Sequence, residues 1–241
     1  LHSNEMQDSI GQAATSGVLV DGPEEELDFT KEEVLVVSSD FSLTTAYNEL
    51  QGVHEGVVIN LDVPYTSQAP EKNWEQPWQD ACEEVSLLML DAYYKGYGLS
   101  PLFVKDEVQK MVAWHEARDW GGSISIEKIA KFYDEYFTSY KKVRIVYDPT
   151  VEQIQTFLRQ GKPVLAVANG RELPNKWYSG EGPAYHALII RGYTHTAFVT
   201  NDPGVNRGQN FLFPIESVMN AIHDWNDGDV PNGRKAIMIV E

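Results

Sequence analysis

The chain has 241 residues, of which 42% are hydrophobic, and it carries a net charge of -17 at pH 7. This length and apolar content predict a globular protein with a sizeable core, and no run approaches the roughly 18 apolar residues of a membrane span. The acidic excess would repel phosphate backbones, so we expect no nucleic acid partner.

The acidic residues are concentrated at the N-terminus, where residues 1–60 hold twelve Asp and Glu against one Lys. Residues 1–26 have the polar composition of a flexible extension, and residues 34–37 predict a short strand. We expect an acidic N-terminal extension over 1–57, either a pro-segment or a spacer, followed by one domain over 58–241. We expect a secreted or cell-surface protein, with a cytoplasmic one as the alternative.

Beyond a short strand near residues 57–59, the chain predicts helices first and strands later. Hydrophobic periodicity predicts helices over 82–96, 102–117 and 125–137, followed by a strand over 143–147 and a helix over 150–159. Strands over 163–168, 185–193 and 197–200, a helix over 214–225 and a strand over 236–240 complete the pattern. Helices followed by mostly antiparallel strands indicate an α+β fold.

Cys82 is the only cysteine, and it begins the helix predicted over 82–96, with Asp80 as the expected N-cap. Free backbone N–H groups and the helix dipole at such a position favour a thiolate, which is a nucleophile. The alternative is a small buried hydrophobic residue, and the local pattern leaves both roles open.

His186 is the histidine best placed to serve such a nucleophile, because it begins an apolar strand that would fix its ring. Asp202 follows at the end of the next strand. Two antiparallel strands joined at residues 192–195 would bring Asp202 beside His186, where a carboxylate can orient the imidazole. A structural histidine near a turn-forming aspartate is the alternative.

Acidic residues near Gly228 are the other cluster with possible chemistry. Asp224, Asn226, Asp227 and Asp229 supply oxygen ligands, but their spacing does not match a calcium-binding EF-hand loop. One cysteine and scattered histidines give no zinc-ligand spacing. We therefore expect no metal.

Four segments, taken in order, resemble the C39-like peptidases, a family with the papain-like cysteine peptidase fold. They are residues 61–70 with Gln68, the helix beginning at Cys82, residues 185–188 with His186, and residues 201–204 with Asp202. The resemblance spans residues 58–241. It implies an N-terminal helical part, including the cysteine helix, packed on a mostly antiparallel β-sheet. It also implies a cysteine endopeptidase that acts on a peptide or protein substrate and needs no cofactor.

The resemblance also implies a role for each residue. Cys82 attacks the scissile carbonyl, His186 takes and returns the proton, and Asp202 orients His186. Gln68 matches the glutamine that donates a side-chain N–H to the oxyanion hole in this family, with the backbone N–H of Cys82 as the second donor.

Two features depart from the family pattern. Glu83 follows the cysteine where family members commonly carry glycine. Its carboxylate would raise the pKa of Cys82 if it faced the sulfur, or it could point outward at the helix N-terminus. Residues 71–79 form an extra loop, in which Trp74 and Trp78 are expected to build a substrate-binding wall, with aromatic packing as the alternative. The acidic residue at 83 and the segment 221–226 resemble a bacterial sub-branch of the family.

Two other functions stay open. The same triad can carry out thiol acyl transfer, as in transglutaminase-like proteins. The carboxylate of Glu83 also leaves open a non-catalytic binding module that retains the papain-like fold.

Overall fold

The computed structural model describes residues 56–138 and 141–241. The strand predicted at 34–37 lies outside the described residues, as does the extension predicted over 1–57 except for its last two positions. The described helices are α1 Cys82–Lys95, α2 Pro101–Glu116, α3 Ile126–Tyr136, α4 Val151–Arg159 and α5 Ile215–Ala221. The described strands are β1 Val57–Asn60, β2 Val143–Tyr147, β3 Val164–Ala168, β4 His186–Thr194, β5 Ala197–Asn201, β6 Phe211–Pro214 and β7 Ala236–Val240.

The strands form one antiparallel sheet in the order β2-β7-β3-β4-β5-β6. Strand β4 is the longest described strand and has two partners along one of its edges. Its first half pairs with β3, from His186 opposite Ala168, and its second half pairs with β1 through Gly192 and Thr194. His186, the first residue of β4, therefore lies at one end of a central strand of the sheet.

Helices cover both faces of the sheet. Side chains of one face of β3, β4 and β7, such as Val167, Ala187 and Met238, pack with α1, α2 and α3. Side chains of the opposite face, such as Leu188 and Ile237, pack with α4 and α5. Because these strands are buried on both sides, they occur in the sequence as continuous apolar runs rather than as alternating patterns.

Helix α1 packs against β3 and β4 and against the other two helices of its layer, and its residues from Cys82 to Ala92 are all buried. A helix buried on every side has no polar face, which explains why its amphipathic pattern is weak. The helix ends at Gly96, whose left-handed φ of 73° terminates the hydrogen-bond ladder through a bond from its N–H to Ala92. No described helix is long and apolar enough to cross a membrane.

Most predicted elements are confirmed within one or two residues, and two predictions are wrong. Asp80 is not the N-cap of α1, because it ends a short 3₁₀ turn, and Ala81 occupies the cap position without a side-chain bond. The helix predicted over 214–225 ends at Ala221, since Ile222 takes an extended conformation and bridges to Ala168. Strand β6 was not predicted. By contrast, the helix predicted over 150–159 is confirmed, and Thr150 caps it in a capping box with Gln153.

Candidate active site

A cavity of about 990 Å³ lies where the first turn of α1, the start of β4 and the turn after β5 meet. Gln68, Cys82 and His186 line it, and Asp202 lies behind His186. The remaining lining is rich in aromatic side chains, which are Trp74, Trp177, Tyr178, Tyr185 and Trp225. The structure therefore brings the predicted residues of three separate segments to one cavity.

Cys82 is the first residue of α1, as predicted, and its side chain is buried at the cavity wall. Its thiol donates a hydrogen bond to Oε2 of Glu83 at 2.9 Å. The prediction that its position favours a thiolate is not what the structure shows. Burial raises the pKa of the Cys82 thiol well above its ordinary value, and the neighbouring carboxylate of Glu83 raises it further. A hydrogen bond from the backbone of Ala187 opposes these effects only in part.

Glu83 does not point outward at the helix N-terminus but is buried, with 1% of its surface exposed. Its Oε2 faces the sulfur of Cys82, and its Oε1 accepts a hydrogen bond from the N–H of Ile124 at 3.2 Å. Burial, followed by the charge of Glu84, raises the pKa of Glu83 to about 8. At neutral pH this carboxyl group is therefore mainly protonated.

His186 begins β4 and is held at the end of the central strand, buried beside the cavity. Its Nε2 lies 2.7 Å from Oδ1 of Asp202, which follows the last residue of β5. The antiparallel pairing of β4 with β5 brings the two residues together, because Ile189 of β4 lies opposite Asn201. The ring nitrogen Nδ1 is left for a group in the cavity.

Asp202 is buried, and four hydrogen-bond donors surround its carboxylate. Oδ1 is bonded to Nε2 of His186 and to the N–H of Gly204, while Oδ2 accepts from Nδ2 of Asn175 at 2.7 Å and from the hydroxyl of Tyr178 at 2.8 Å. Burial alone would raise the pKa of Asp202, but the charge of His186 and these hydrogen bonds lower it below its ordinary value. The buried carboxylate is thus kept ionised.

Asn175 and Tyr178 were not identified from the sequence. Both lie in the irregular segment between the 3₁₀ turn Gly170–Glu172 and β4. Such a segment has no hydrophobic periodicity from which the position of a side chain could be predicted. The ring of Tyr178 also stands edge-on to His186, with ring centroids 5.7 Å apart. The only signal in the sequence was a polar and aromatic loop shortly before the candidate histidine.

Gln68 lines the cavity, but its side-chain amide is committed to the backbone in this structure. Its Nε2 donates to the carbonyl oxygens of Trp78 and Gln79 at 2.9 and 2.8 Å, and its Oε1 is buried without a hydrogen-bond partner among the described residues. An amide nitrogen has two hydrogens, so both are used. Gln68 therefore anchors the 3₁₀ turn that leads into α1, and its predicted oxyanion role requires one of these bonds to open.

The two tryptophans predicted to contact substrate are placed differently. Trp74 lines the cavity, with 37% of its surface exposed. Trp78 packs into the core of the helical layer and is not among the cavity residues, because its position in the 3₁₀ turn directs it inward. Trp177 and Trp225, which were not identified from the sequence, line the cavity instead of Trp78.

The other buried acidic residues near the cavity have structural partners. Glu84 pairs with Nε2 of His115 at 2.9 Å and so joins α1 to α2. Asp224, weighed above as a calcium ligand, accepts from the N–H of Ile126 at the start of α3 and from the hydroxyl of Tyr185. Within residues 56–138 and 141–241, no group of three or more His, Cys, Asp or Glu side chains is arranged to hold a metal ion.

Comparison with known proteins bears on the fold and the family of this chain. Residues 60–225 match the model of the Peptidase_C39 like family. A search of curated proteins returns no match. A crystal structure from Bacillus anthracis, described as a "putative C39-like peptidase", aligns with 77% of this chain and 98% of its own at 17% identity and a TM-score of 0.50. This similarity, together with the helices and antiparallel sheet, shows the papain-like α+β fold. The family match covers more than half of the sequence, and the chain belongs to the C39-like peptidase family.

Proposed function

We propose that the protein is a cysteine endopeptidase in which Cys82 is the nucleophile, His186 the general base and acid, and Asp202 the group that orients His186. The observation that carries the proposal is the 2.7 Å contact between Nε2 of His186 and Asp202, in the wall of the cavity that Cys82 also lines. Because this contact occupies Nε2, the free nitrogen Nδ1 is available to the thiol. Nucleophilic catalysis by a thiol requires an oriented histidine nearby, and here the buried Asp–His pair and the thiol belong to one cavity.

The reaction begins when Nδ1 of His186 takes the proton of Cys82, whose resting hydrogen bond to Glu83 must be given up. The thiolate attacks the scissile carbonyl, and the backbone N–H of Cys82 at the start of α1 donates to the oxyanion. His186 returns the proton to the leaving amine, which departs and leaves a thioester on Cys82. Water deprotonated by His186 then hydrolyses the thioester and restores the thiol.

The ionised state of Asp202 supports the first step. A negative charge 2.7 Å from Nε2 stabilises the imidazolium that forms when His186 takes the proton. This stabilisation of the imidazolium partly offsets the cost of ionising the buried thiol. The thiolate of Cys82 and the imidazolium of His186 form together, so neither charge is left isolated. Trp74 and the other aromatic side chains of the cavity are the surfaces against which a peptide substrate would pack.

The test combines thiol reactivity with hydrolysis of a mixed peptide library, followed by mass spectrometry. We expect Cys82→Ala to abolish cleavage and His186→Ala to reduce it by about a thousandfold or more, in the range of triad losses. His195→Ala is the matched control, because His195 is exposed and away from the cavity. Full cleavage by Cys82→Ala would refute the proposal.

A non-catalytic binding module is the second candidate, and the contact between Cys82 and Glu83 is the observation that favours it. A thiol that donates to a neighbouring carboxylate and has a raised pKa is a poor nucleophile at rest. Slow alkylation that is indifferent to His186→Ala would support this function. Transfer of an acyl group to added amines with little hydrolysis would instead indicate a transglutaminase-like reaction.

A further inference from the structure

The side chain hydrogen-bonded to the sulfur of Cys82 in this structure is that of Glu83. The two atoms, Sγ and Oε2, are 2.9 Å apart and buried. A carboxyl group that touches the nucleophile changes how readily the nucleophile gives up its proton, so the protonation state of Glu83 matters for the proposed reaction.

The location of the proton on this carboxyl follows from its other contact. Oε1 accepts a hydrogen bond at 3.2 Å from the N–H of Ile124, a group that can only donate. Oε2 faces the sulfur of Cys82, which donates as a thiol and accepts as a thiolate. When Glu83 is protonated, the proton therefore lies on Oε2, the oxygen that faces the sulfur. The group can then act as a donor toward Cys82 rather than as an acceptor.

Among the titratable groups around Glu83, the charge of Glu84 favours this protonated form. Cys82 and Glu84 flank it on α1, and the hydroxyl of Tyr185 faces it from the start of β4, with Asp224 bonded to that hydroxyl. Burial is the largest cause of the raised pKa of Glu83, and the charge of Glu84 adds to it. The hydrogen bonds from the thiol and from the backbone act in the opposite direction but are outweighed.

We propose that Glu83 is a catalytic residue of this site, whose protonated carboxyl donates a hydrogen bond from Oε2 to the thiolate of Cys82 as His186 removes the thiol proton. The proton of Cys82 passes from Sγ to Nδ1 of His186, and Glu83 keeps its own. As the sulfur bonds to the substrate carbon it loses its charge, and the hydrogen bond weakens. The inference rests on the proposed function, because it requires Cys82 to be the nucleophile.

The proposal gives Glu83 two opposite effects. The neutral carboxyl stabilises the thiolate, whereas the ionised carboxylate removes the donor and places a negative charge 2.9 Å from the sulfur. An ordinary thiol becomes more reactive as pH rises. Here the nucleophile is expected to lose reactivity as pH rises through the pKa of Glu83, which is about 8.

The experiment measures the alkylation rate of Cys82 by iodoacetamide, a neutral reagent, between about pH 5 and pH 10, a span that covers the ionisation of both groups. For the wild type we expect a fall above about pH 8. Glu83→Gln retains an N–H donor and cannot ionise, so the fall should disappear. Glu83→Ala lacks the donor and should react about tenfold more slowly than Glu83→Gln at neutral pH. A fall that persists unchanged in Glu83→Gln would overturn the proposal.

Glu84→Gln is the matched comparison on the next residue of α1. It removes the like charge that raises the pKa of Glu83, so the fall in reactivity should begin at a lower pH than in the wild type. Glu83→Gln is thus expected to remove the fall in alkylation rate at high pH, whereas Glu84→Gln is expected to move it to lower pH. A shift in the same direction would indicate a general effect of lost negative charge and would contradict the proposal.

His186→Ala separates this inference from the proposed function. If this variant alkylates slowly at neutral pH while Glu83→Gln keeps the wild-type profile, the role of Glu83 is refuted and the proposed function stands. If His186→Ala leaves the alkylation rate of Cys82 unchanged, His186 is not the base of Cys82. The proposed function is then refuted, and the role of Glu83 falls with it. Should Glu83→Gln not fold, infrared spectra of the wild type decide the question. A protonated carboxyl band that shifts on alkylation of Cys82 is expected, and a band indifferent to alkylation would refute the role.

Discussion

Tyr178 supports Asp202 through the carboxylate oxygen that His186 does not use. Its hydroxyl donates to Oδ2 at 2.8 Å, while Nε2 of His186 lies 2.7 Å from Oδ1. The carboxylate cannot rotate away from His186 without losing the bond to Tyr178. The two residues therefore fix the plane of the carboxylate, and with it the direction of the imidazole.

Tyr178→Phe removes this hydroxyl and is expected to lower kcat/KM by about tenfold to a hundredfold, because a hydrogen bond to a charged group contributes about 1.5–3 kcal/mol. The loss also raises the pKa of Asp202, which the hydroxyl helps to lower. The acidic limb of the pH–rate profile should therefore move to higher pH. Tyr94→Phe, which loses a hydroxyl bond to Val240 away from the cavity, is the control and should keep the wild-type profile.

Gly204 is expected to tolerate no side chain. A Cβ atom there would lie 2.9 Å from Cε1 of His186 and 3.2 Å from Oδ1 of Asp202, closer than such atoms pack. We expect Gly204→Ala to displace the ring and lower kcat by about tenfold to a hundredfold, as misplaced catalytic groups do. Gly98→Ala, at a glycine with open space around it, should leave kcat unchanged. Equal activities of the two variants would contradict the prediction.

Gln68 is expected to matter for hydrolysis but not for alkylation. Only hydrolysis passes through an oxyanion, and loss of one oxyanion donor typically costs about a hundredfold to a thousandfold in kcat. Gln68→Ala should therefore show slow peptide cleavage and a near-normal rate of Cys82 alkylation. If both rates fall together, the residue acts through its hydrogen bonds to the carbonyls of Trp78 and Gln79, as an anchor of the turn before α1.

Glu83 is expected to make folding stability depend on pH. Its pKa is about 8 in the folded protein and about 4.3 in an unfolded chain, so the folded state binds the extra proton between these values. Stability should therefore fall as pH rises from about 5 to 8, because the unfolded state binds fewer protons there. Urea denaturation at several pH values measures this slope, and Glu83→Gln should flatten it. A wild-type slope retained in that variant would show that another group causes it.

The bounds of two strands, β2 and β7, were predicted to the residue. Strand β7 is buried on both faces and appears as the unbroken run 236–240, so its bounds could be predicted to the residue. The pairing of His186 with Asp202 was predictable for a related reason. Adjacent antiparallel strands bring the start of the first strand beside the end of the second, where His186 and Asp202 lie, and this relation needs no knowledge of the rest of the chain.

The orientation of Glu83 could not be predicted in this way. Position 83 in the first turn of a helix can face solvent or the core, and the choice depends on what packs above that turn. Here Ile124, which is 41 residues away, supplies the N–H that holds the carboxyl inside. The positions of Asn175 and Tyr178 depend on an irregular loop, and the inward direction of Trp78 depends on a 3₁₀ turn that no period indicates.

Cys82 lies on a helix, whereas His186 and Asp202 lie on the sheet, so the candidate site is divided between two layers of the fold. If Cys82 and His186 act together as proposed, separating α1 from β4 is expected to stop catalysis even where each layer stays folded. Because Cys82 is the only cysteine in the chain, a label attached there reports on this junction without interference from other thiols. A label at Cys82 therefore reports how stably the helical layer packs against the sheet.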